Sequence, residues 1–230
     1  MKSITRFSSL KDSRIDKFIK SRLYGVTDLK EWSEREAFRI EEACRGAVEV
    51  LQLRSKVLDK HALIDAGWSM REMTMRWGVL LVVNDYPDIA AAIGADGVHL
   101  GQKDLPVSEA RSYFEVCDVL IGKSTHSLEQ AVAAEDEGAD YIGMGPIFST
   151  PTKPSYGGMG LEWIREVKQR VAIPGVAIGG MNGETIPLAI RAGADRVAVV
   201  RAIFSEEDVF EATRRLKKII ELNFKSRSLN

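Results

Sequence analysis

Short runs rich in Val, Ile and Leu alternate with longer amphipathic stretches along almost the whole chain. The joint between them recurs: Gly-Ala-Asp stands at 94–96, 138–140 and 193–195, each time just before an apolar run. A glycine that ends a helix can take positive φ at no steric cost, and a short polar step then leads into a strand. Repeating that joint implies repeating βα units, and hence parallel strands. The apolar runs are Leu23–Thr27, Val50–Leu53, Val79–Val83, Gly97–Leu100, Val119–Gly122, Tyr141–Met144, Gly175–Ile178 and Arg196–Val200. They read as strands buried on both faces. Glu31–Ala47, Val57–Trp77 and Glu207–Phe224 carry helical spacing, and Ser127–Glu137 opens with a Ser127…Gln130 capping box.

Eight strands with intervening helices predict an α/β fold, a single-domain (β/α)8 TIM barrel. The 230 residues fit one such barrel. An open doubly wound sheet is the alternative, but no glycine-rich dinucleotide fingerprint follows the first strand. No linker-like boundary interrupts the pattern. We expect a short N-terminal helical extension over 1–20 and the barrel over 21–230. Ile15, Phe18 and Ile19 would form an apolar face covering the barrel bottom. Trp32, Trp68, Trp77 and Trp163 fall in helical segments and read as packing residues.

Thirty-two Lys and Arg balance 33 Asp and Glu, for a net charge of −1. That balance argues against a nucleic-acid coat or an electrostatic membrane anchor, while leaving room for a local basic pocket. Cys44 and Cys117 form neither a disulfide framework nor a zinc cluster, which suits a reducing cytoplasm. The longest clean apolar stretch, Val79–Val83, is far below the ~20 residues that span a bilayer. No apolar signal core is visible near residue 1. Early basic and Ser residues hint at a transit peptide, which Asp12 and Asp16 weaken.

In such a barrel, chemistry sits at the C-terminal ends of the strands. Strand 2 ends Gln52-Leu53-Arg54-Ser55-Lys56. Alternation puts Leu51 and Leu53 toward the helices, and Gln52 and Arg54 toward the barrel mouth, with Lys56 just beyond. Strand 3 ends Asn84-Asp85, and Gln102 and Asp104 follow His99 of strand 4. Asp85 and Asp104 could meet above the core and hold a hard cation such as Mg²⁺. On spacing alone, however, Asp85 reads better as the cap of a helix opened by Pro87. Lys123-Ser124-Thr125-His126 precedes a helix start suited to anions, or is a plain Ser/Thr-rich cap. The loop after strand 6 is long, carries Thr150, Pro151, Thr152 and Lys153, and runs into glycines, as a lid would. Gly179-Gly180 after strand 7 and Val200-Arg201 after strand 8 lie where barrels often bind phosphate. This reading reaches a metal-assisted enzyme handling a diphosphate and a second phosphorylated molecule.

The ordered segments 23–28, Gln-Leu-Arg-Ser-Lys (52–56), Val-Asn-Asp (83–85), Gly-Val-His-Leu-Gly-Gln-Lys-Asp-Leu (97–105), Ile-Gly-Lys-Ser-Thr-His-Ser (121–127), Gly-Pro-Ile-Phe-Ser-Thr-Pro-Thr-Lys (145–153) and Ala-Ile-Gly-Gly-Met (177–181) resemble the thiamine phosphate synthase family over residues ~21–205. The resemblance implies a transferase joining hydroxymethylpyrimidine diphosphate to a thiazole phosphate. It implies that Gln52, Arg54, Lys56, Asn84, Ser124 and Lys153 hold the pyrimidine diphosphate, with Leu53 and Ser55 also in the substrate-binding set. Asp85 and Asp104 would hold Mg²⁺, and Thr150, Thr152, Gly180 and the residues near Val200 would hold the thiazole phosphate, with Pro151 also in the substrate-binding set. Beyond the resemblance, Arg201 is expected to contact that phosphate, the alternative being that it turns outward to Glu206 or Glu207. Arg54, Ser124 and Lys153 would act in catalysis. Arg201 stands where the family usually has a small hydroxyl residue, and Gly25 where it has an aliphatic one. The implied partners are these small molecules, with neither nucleic acid nor membrane; a homo-oligomer is compatible. A related thiazole tautomerase lacks the Gln52 pattern and the Thr-Pro-Thr-Lys loop. A sensor of thiamine intermediates would not need the whole charged set.

Overall fold

The computed structural model describes residues 14–114, 119–149 and 158–227. Eight parallel strands close into a barrel in sequence order, β1 pairing with β8. The strands are β1 (Leu23–Val26), β2 (Val50–Leu53), β3 (Leu80–Asn84), β4 (Gly97–Leu100), β5 (Leu120–Thr125), β6 (Tyr141–Met144), β7 (Gly175–Ile178) and β8 (Val197–Val199). The main outer helices are α2 (Glu34–Arg45), α3 (Lys60–Trp77), α4 (Pro87–Ala92), α5 (Val107–Ser112), α6 (Leu128–Asp136), α7 (Leu161–Arg170) and α8 (Thr185–Ala192). A one-turn helix, α9 (Arg201–Phe204), and the long α10 (Val209–Arg227) complete the ring, and residues 14–20 form α1. Among the described residues, no helix is long and apolar enough to cross a membrane.

Burial follows from alternation. Leu51, Leu53, Leu81, Val83, Val98 and Ile121 pack outward against the helices. Tyr24, Val26, Val50, Leu80, Val82, Leu120, Tyr141 and Val176 fill the barrel instead. Strands buried on both faces need apolar residues at both parities, and this is why they read as continuous hydrophobic runs. At Gly25, the Phe204 ring of α9 lies 3.4 Å from where a Cβ would stand, in the space an aliphatic side chain would fill.

The three joint glycines, Gly94, Gly138 and Gly193, all adopt positive φ. The aspartates beside them do more than make the joint polar. Asp96 accepts the Leu81 N–H at 2.9 Å, Asp140 accepts the Ile121 N–H at 2.9 Å, and Glu49 accepts the Leu23 N–H at 3.0 Å. Each acid thus satisfies an orphan donor on the preceding strand, at the barrel bottom. Asp96 also pairs with Arg71 at 2.7 Å and Arg14 at 3.2 Å, tying α3 and α1 to that edge. Asp195 departs from the pattern and pairs with Lys168 and Arg227. Asp96→Ala is expected to cost about 2–3 kcal/mol, since a buried N–H loses its acceptor and two partly buried guanidiniums lose a partner. A melting temperature lower by roughly 5–10 °C would register it; an unchanged value would show that water replaces the carboxylate.

Phe18 of α1 is fully buried and enters the barrel base, with its ring centroid 4.4 Å from that of Tyr141. Ile15 packs beside it, whereas Ile19 is exposed and no part of the cover. Arg196 donates to the Phe18 carbonyl at 2.8 Å and lies over its ring. Trp163 is buried as expected, but Trp68 and Trp77 leave about half of their surface in solvent (52% and 43%), correcting their reading as core packing residues. Both project from the outer side of α3, where helical periodicity does not distinguish a core stripe from a solvent stripe carrying an aromatic ring.

Candidate active site

Several of the polar residues at the strand ends converge on one pocket at the C-terminal mouth, while Lys56, Asp85, Gln102 and Asp104 are not in its lining. Gln52, Arg54, Asn84 and Ser124 line one side. Gly179, Gly180, Val200 and Arg201 line another. Parallel strands bring their C-terminal ends to one rim, so residues distant in sequence become neighbours.

Arg54 is anchored by Asp28, which follows β1, through a side-chain ion pair. Thr27 helps seat this corner: its hydroxyl accepts the Arg54 N–H at 2.9 Å. Burial works upward on the Asp28 carboxyl, but Lys30 and Arg54 together carry it below its ordinary value. Asp28 therefore stays ionised and fixes the guanidinium at the rim.

Asp85 does not cap the next helix. The residue before α4 is Tyr86, and no side chain caps that end. Asp85 instead adopts a left-handed backbone with φ 68°, an uncommon state for a residue with a Cβ. Its carboxyl lies within hydrogen-bond reach of Asp104. Burial and then the neighbouring Asp104 hold the Asp85 carboxyl well above the usual range, with Arg54 and Asn84 opposing. Asp104 also accepts the Gly101 N–H. Two adjoining carboxylates that repel one another are a donor set suited to a hard divalent cation. Among the described residues, no group of three or more His, Cys, Asp or Glu side chains is arranged for a metal. Two protein carboxylates leave further positions to ligand and water oxygens, as is common for Mg²⁺.

The other expected residues divide. The Leu53 side chain lies in the outer apolar shell, so only its backbone remains to a ligand. The Ser55 hydroxyl is committed to its own loop: it donates to the Leu29 carbonyl at 2.8 Å and accepts the Val57 and Leu58 N–H groups. Within the 52–56 motif, alternation and a tight turn aim only some of the side chains at the mouth. Lys56 is exposed beyond the strand end. Thr150, Pro151, Thr152 and Lys153 lie outside the described residues, as does Cys117; Cys44 is free and buried.

On the far wall, Gly179 and Gly180 both take positive φ, and a Cβ on Gly179 would come within 2.6 Å of Pro146 Cα. This turn therefore requires glycine. Arg201 opens α9, is exposed, and makes no ion pair among the described residues. Glu206, one carboxylate to which it might have turned outward, faces Arg215 at 3.6 Å. His126 lines the pocket, with Nδ1 against the Gly145 carbonyl. Ser127 caps α6 as expected, but Gln130 accepts from His126 N–H, one residue before the cap.

Sequence reasoning assigned no role to Tyr24, His99 or Tyr141, all three of which line the pocket floor. The signal was present in alternation: Tyr24 shares its parity with Val26, and His99 with Gly97 and Gly101. Without the register between strands, nothing joined them.

A closed (β/α)8 barrel with an arginine, paired carboxylates and glycine turns around its C-terminal mouth belongs to the class of barrel enzymes that act on anionic small molecules. The family model described as thiamine monophosphate synthase matches residues 23–203. The thiamine-phosphate synthase of Chloroflexus aurantiacus is 43% identical over 204 residues, which are 87% of this chain and 93% of that protein. That of Pyrococcus furiosus is 39% identical over 202 residues, covering 88% and 96%. The solved structure of thiamine phosphate pyrophosphorylase from Pyrococcus furiosus matches with a TM-score of 0.81 at 36% identity, covering 89% of this chain and 97% of that one. The chain belongs to the thiamine monophosphate synthase family.

Proposed function

We propose that this protein is a transferase of thiamine biosynthesis. It moves the hydroxymethylpyrimidine group from its diphosphate to the ring nitrogen of a thiazole phosphate. The products are thiamine phosphate and diphosphate. The observation that carries this reading is the two-sided pocket: Gln52, Arg54 and Asn84 line one wall, with the Asp85–Asp104 pair close enough for Asp85 to feel the Arg54 charge, and the Gly179-Gly180 turn with Val200 and Arg201 forms another. One wall suits a diphosphate and the other a single phosphate.

Asp85 and Asp104 would hold Mg²⁺, which when bound supplies positive charge against the diphosphate oxygens. Arg54, held ready by Asp28, donates two parallel hydrogen bonds to the departing group. Lys56 adds charge beyond the end of β2, Lys153 is expected to add its own to the diphosphate, and Asn84 and Ser124 offer neutral contacts. Charge on the leaving diphosphate grows as the C–O bond to the pyrimidine methylene breaks, and these groups favour that late state over the bound substrate. The electron pair of the bond leaves with the diphosphate, and the aminopyrimidine ring delocalises the cation left behind. The thiazole nitrogen, held opposite, closes the C–N bond without loss of a proton, so no general base is needed. A loop of the length of the one carrying Thr150 to Lys153 would, by closing over the site, keep water from the cation.

The test is diphosphate release from the purified protein, measured with both substrates and with each omitted. Release that requires both supports the reading; none with both present refutes it.

Arg201 provides a narrower check. Its guanidinium is taken to grip the thiazole phosphate in place of the usual small hydroxyl residue. Arg201→Ser is expected to raise the KM for thiazole phosphate about tenfold, the scale of one charge-assisted bond, and to leave that for the pyrimidine diphosphate unchanged. Unchanged values for both would leave only the backbone at 200–201 facing the phosphate.

A further inference from the structure

Beneath the pocket, an unbroken line of hydrogen bonds crosses the barrel interior. Gln52 Nε2 donates to Tyr24 Oη at 2.8 Å, and Tyr24 Oη meets Tyr141 Oη at 3.1 Å. Tyr141 Oη meets His99 Nδ1 at 3.2 Å, and His99 Nε2 meets Ser124 Oγ at 2.9 Å. Its two ends, Gln52 and Ser124, are residues assigned above to the pyrimidine diphosphate. The three between them have no part in the mechanism so far.

The line has a direction. The Gln52 amide N–H occupies Tyr24 Oη as an acceptor, and the only other described partner of that hydroxyl is Tyr141 Oη. Tyr24 must therefore donate to Tyr141, because the reverse leaves its proton buried without an acceptor. Tyr141, having accepted, donates to His99 Nδ1. With Nδ1 occupied as an acceptor, the imidazole carries its proton on Nε2 and donates to Ser124 Oγ. The Ser124 proton is then left to point into the pocket, where an anionic ligand needs a donor.

The strands are cut to fit this line. His99, Gly122 and Tyr141 are consecutive partners across β4, β5 and β6. A Cβ on Gly122 would stand 2.1 Å from Tyr141 Cζ and 2.5 Å from His99 Nδ1. A Cβ on Gly143 would lie 3.1 Å from His99 Cε1. Glycine weakens a strand interior and is found where another group must approach closely; here that group is the phenol–imidazole pair.

We propose that Tyr24, Tyr141 and His99 are positioning residues: through this directed line they hold His99 as the Nε2–H tautomer and turn the Ser124 hydroxyl proton toward the pyrimidine diphosphate. The ligand assignment rests on the function proposed above; the direction of the line does not.

Tyr141→Phe deletes one oxygen and keeps the ring that packs on Phe18. In the wild-type protein, ¹⁵N NMR of His99 should show a pyrrole-like Nε2 and a pyridine-like Nδ1, and Tyr141→Phe should mix the two tautomers. Its kcat for diphosphate release should fall about tenfold, the scale of one misdirected hydrogen bond, with the KM for thiazole phosphate unchanged. In a Ser124→Ala background the same change should have no further effect on kcat. Tyr24→Phe leaves Tyr141 Oη with His99 Nδ1 as its one described partner, so it should shift the tautomer less than Tyr141→Phe does; if Tyr141→Phe does not fold, the wild-type spectrum decides the line. A wild-type Nδ1–H tautomer, or kcat losses that simply multiply in the double variant, would overturn the proposal. The tautomer measurement needs no turnover. Absence of diphosphate release by the wild-type protein would therefore refute the substrate reading, while the spectrum still decides the line.

Discussion

Asp85→Asn is expected to lower diphosphate release by about 10²–10³-fold, the scale of losing one main electrostatic contact to a developing charge. Asparagine is the informative replacement. It keeps the size of the side chain and tolerates the left-handed backbone at φ 68°, whereas alanine would add strain there. It also removes one of two like charges that adjoin in a partly buried site, so stability should not fall with activity. Asp104→Asn should lower turnover as well, with some recovery at raised Mg²⁺. Steady-state rates across a Mg²⁺ titration, with thermal melts alongside, separate these effects. Near-normal rates in both variants with the cation chelated would remove the metal from the mechanism.

Phe18→Ala should have the largest effect on stability. The ring is fully buried, packs at a tilt against Tyr141 with centroids 4.4 Å apart, meets Tyr24 edge-on at 6.5 Å and lies under the Arg196 guanidinium. Truncating a buried phenylalanine typically costs about 3–5 kcal/mol, counting the cavity left behind. A fall in melting temperature of about 10–15 °C is expected for a chain of this size. The loss also frees the Tyr141 ring, so activity below the melting temperature should decline in the manner of Tyr141→Phe. A melt within a degree or two of wild type would mean that α1 closes the barrel by its backbone contacts alone.

Much was legible in the residue order. Glycine at 94, 138 and 193 requires positive φ, and branched apolar residues at both parities require strands covered on two faces. Such requirements are local, so eight βα units could be read before any contact was known. The mouth was legible for the same reason: parallel strands put every strand's C-terminal end on one rim, and alternation alone aims Gln52 and Arg54 inward while Leu51 and Leu53 point out.

What the order of residues could not decide were relations between strands. Asp85 had two readings, a helix cap or half of a carboxylate pair, and only its left-handed backbone and the nearness of Asp104 chose between them. That the Ser55 hydroxyl is engaged by Leu29, Val57 and Leu58 depends on how the 55–58 turn meets the loop after β1. Asp96 and Asp140 were read as polar joints, because the N–H groups they satisfy lie on the preceding strand, 15 and 19 residues away. Phe18 reads from the sequence as part of the bottom cover, but that it enters the barrel against Tyr141 while Ile19 stays in solvent is decided only by closure. The line from Gln52 to Ser124 was hidden for the same physical reason. A hydrogen bond needs placement to a few tenths of an ångström, and the register that sets Gly122 between His99 and Tyr141 arises only when all eight strands close together.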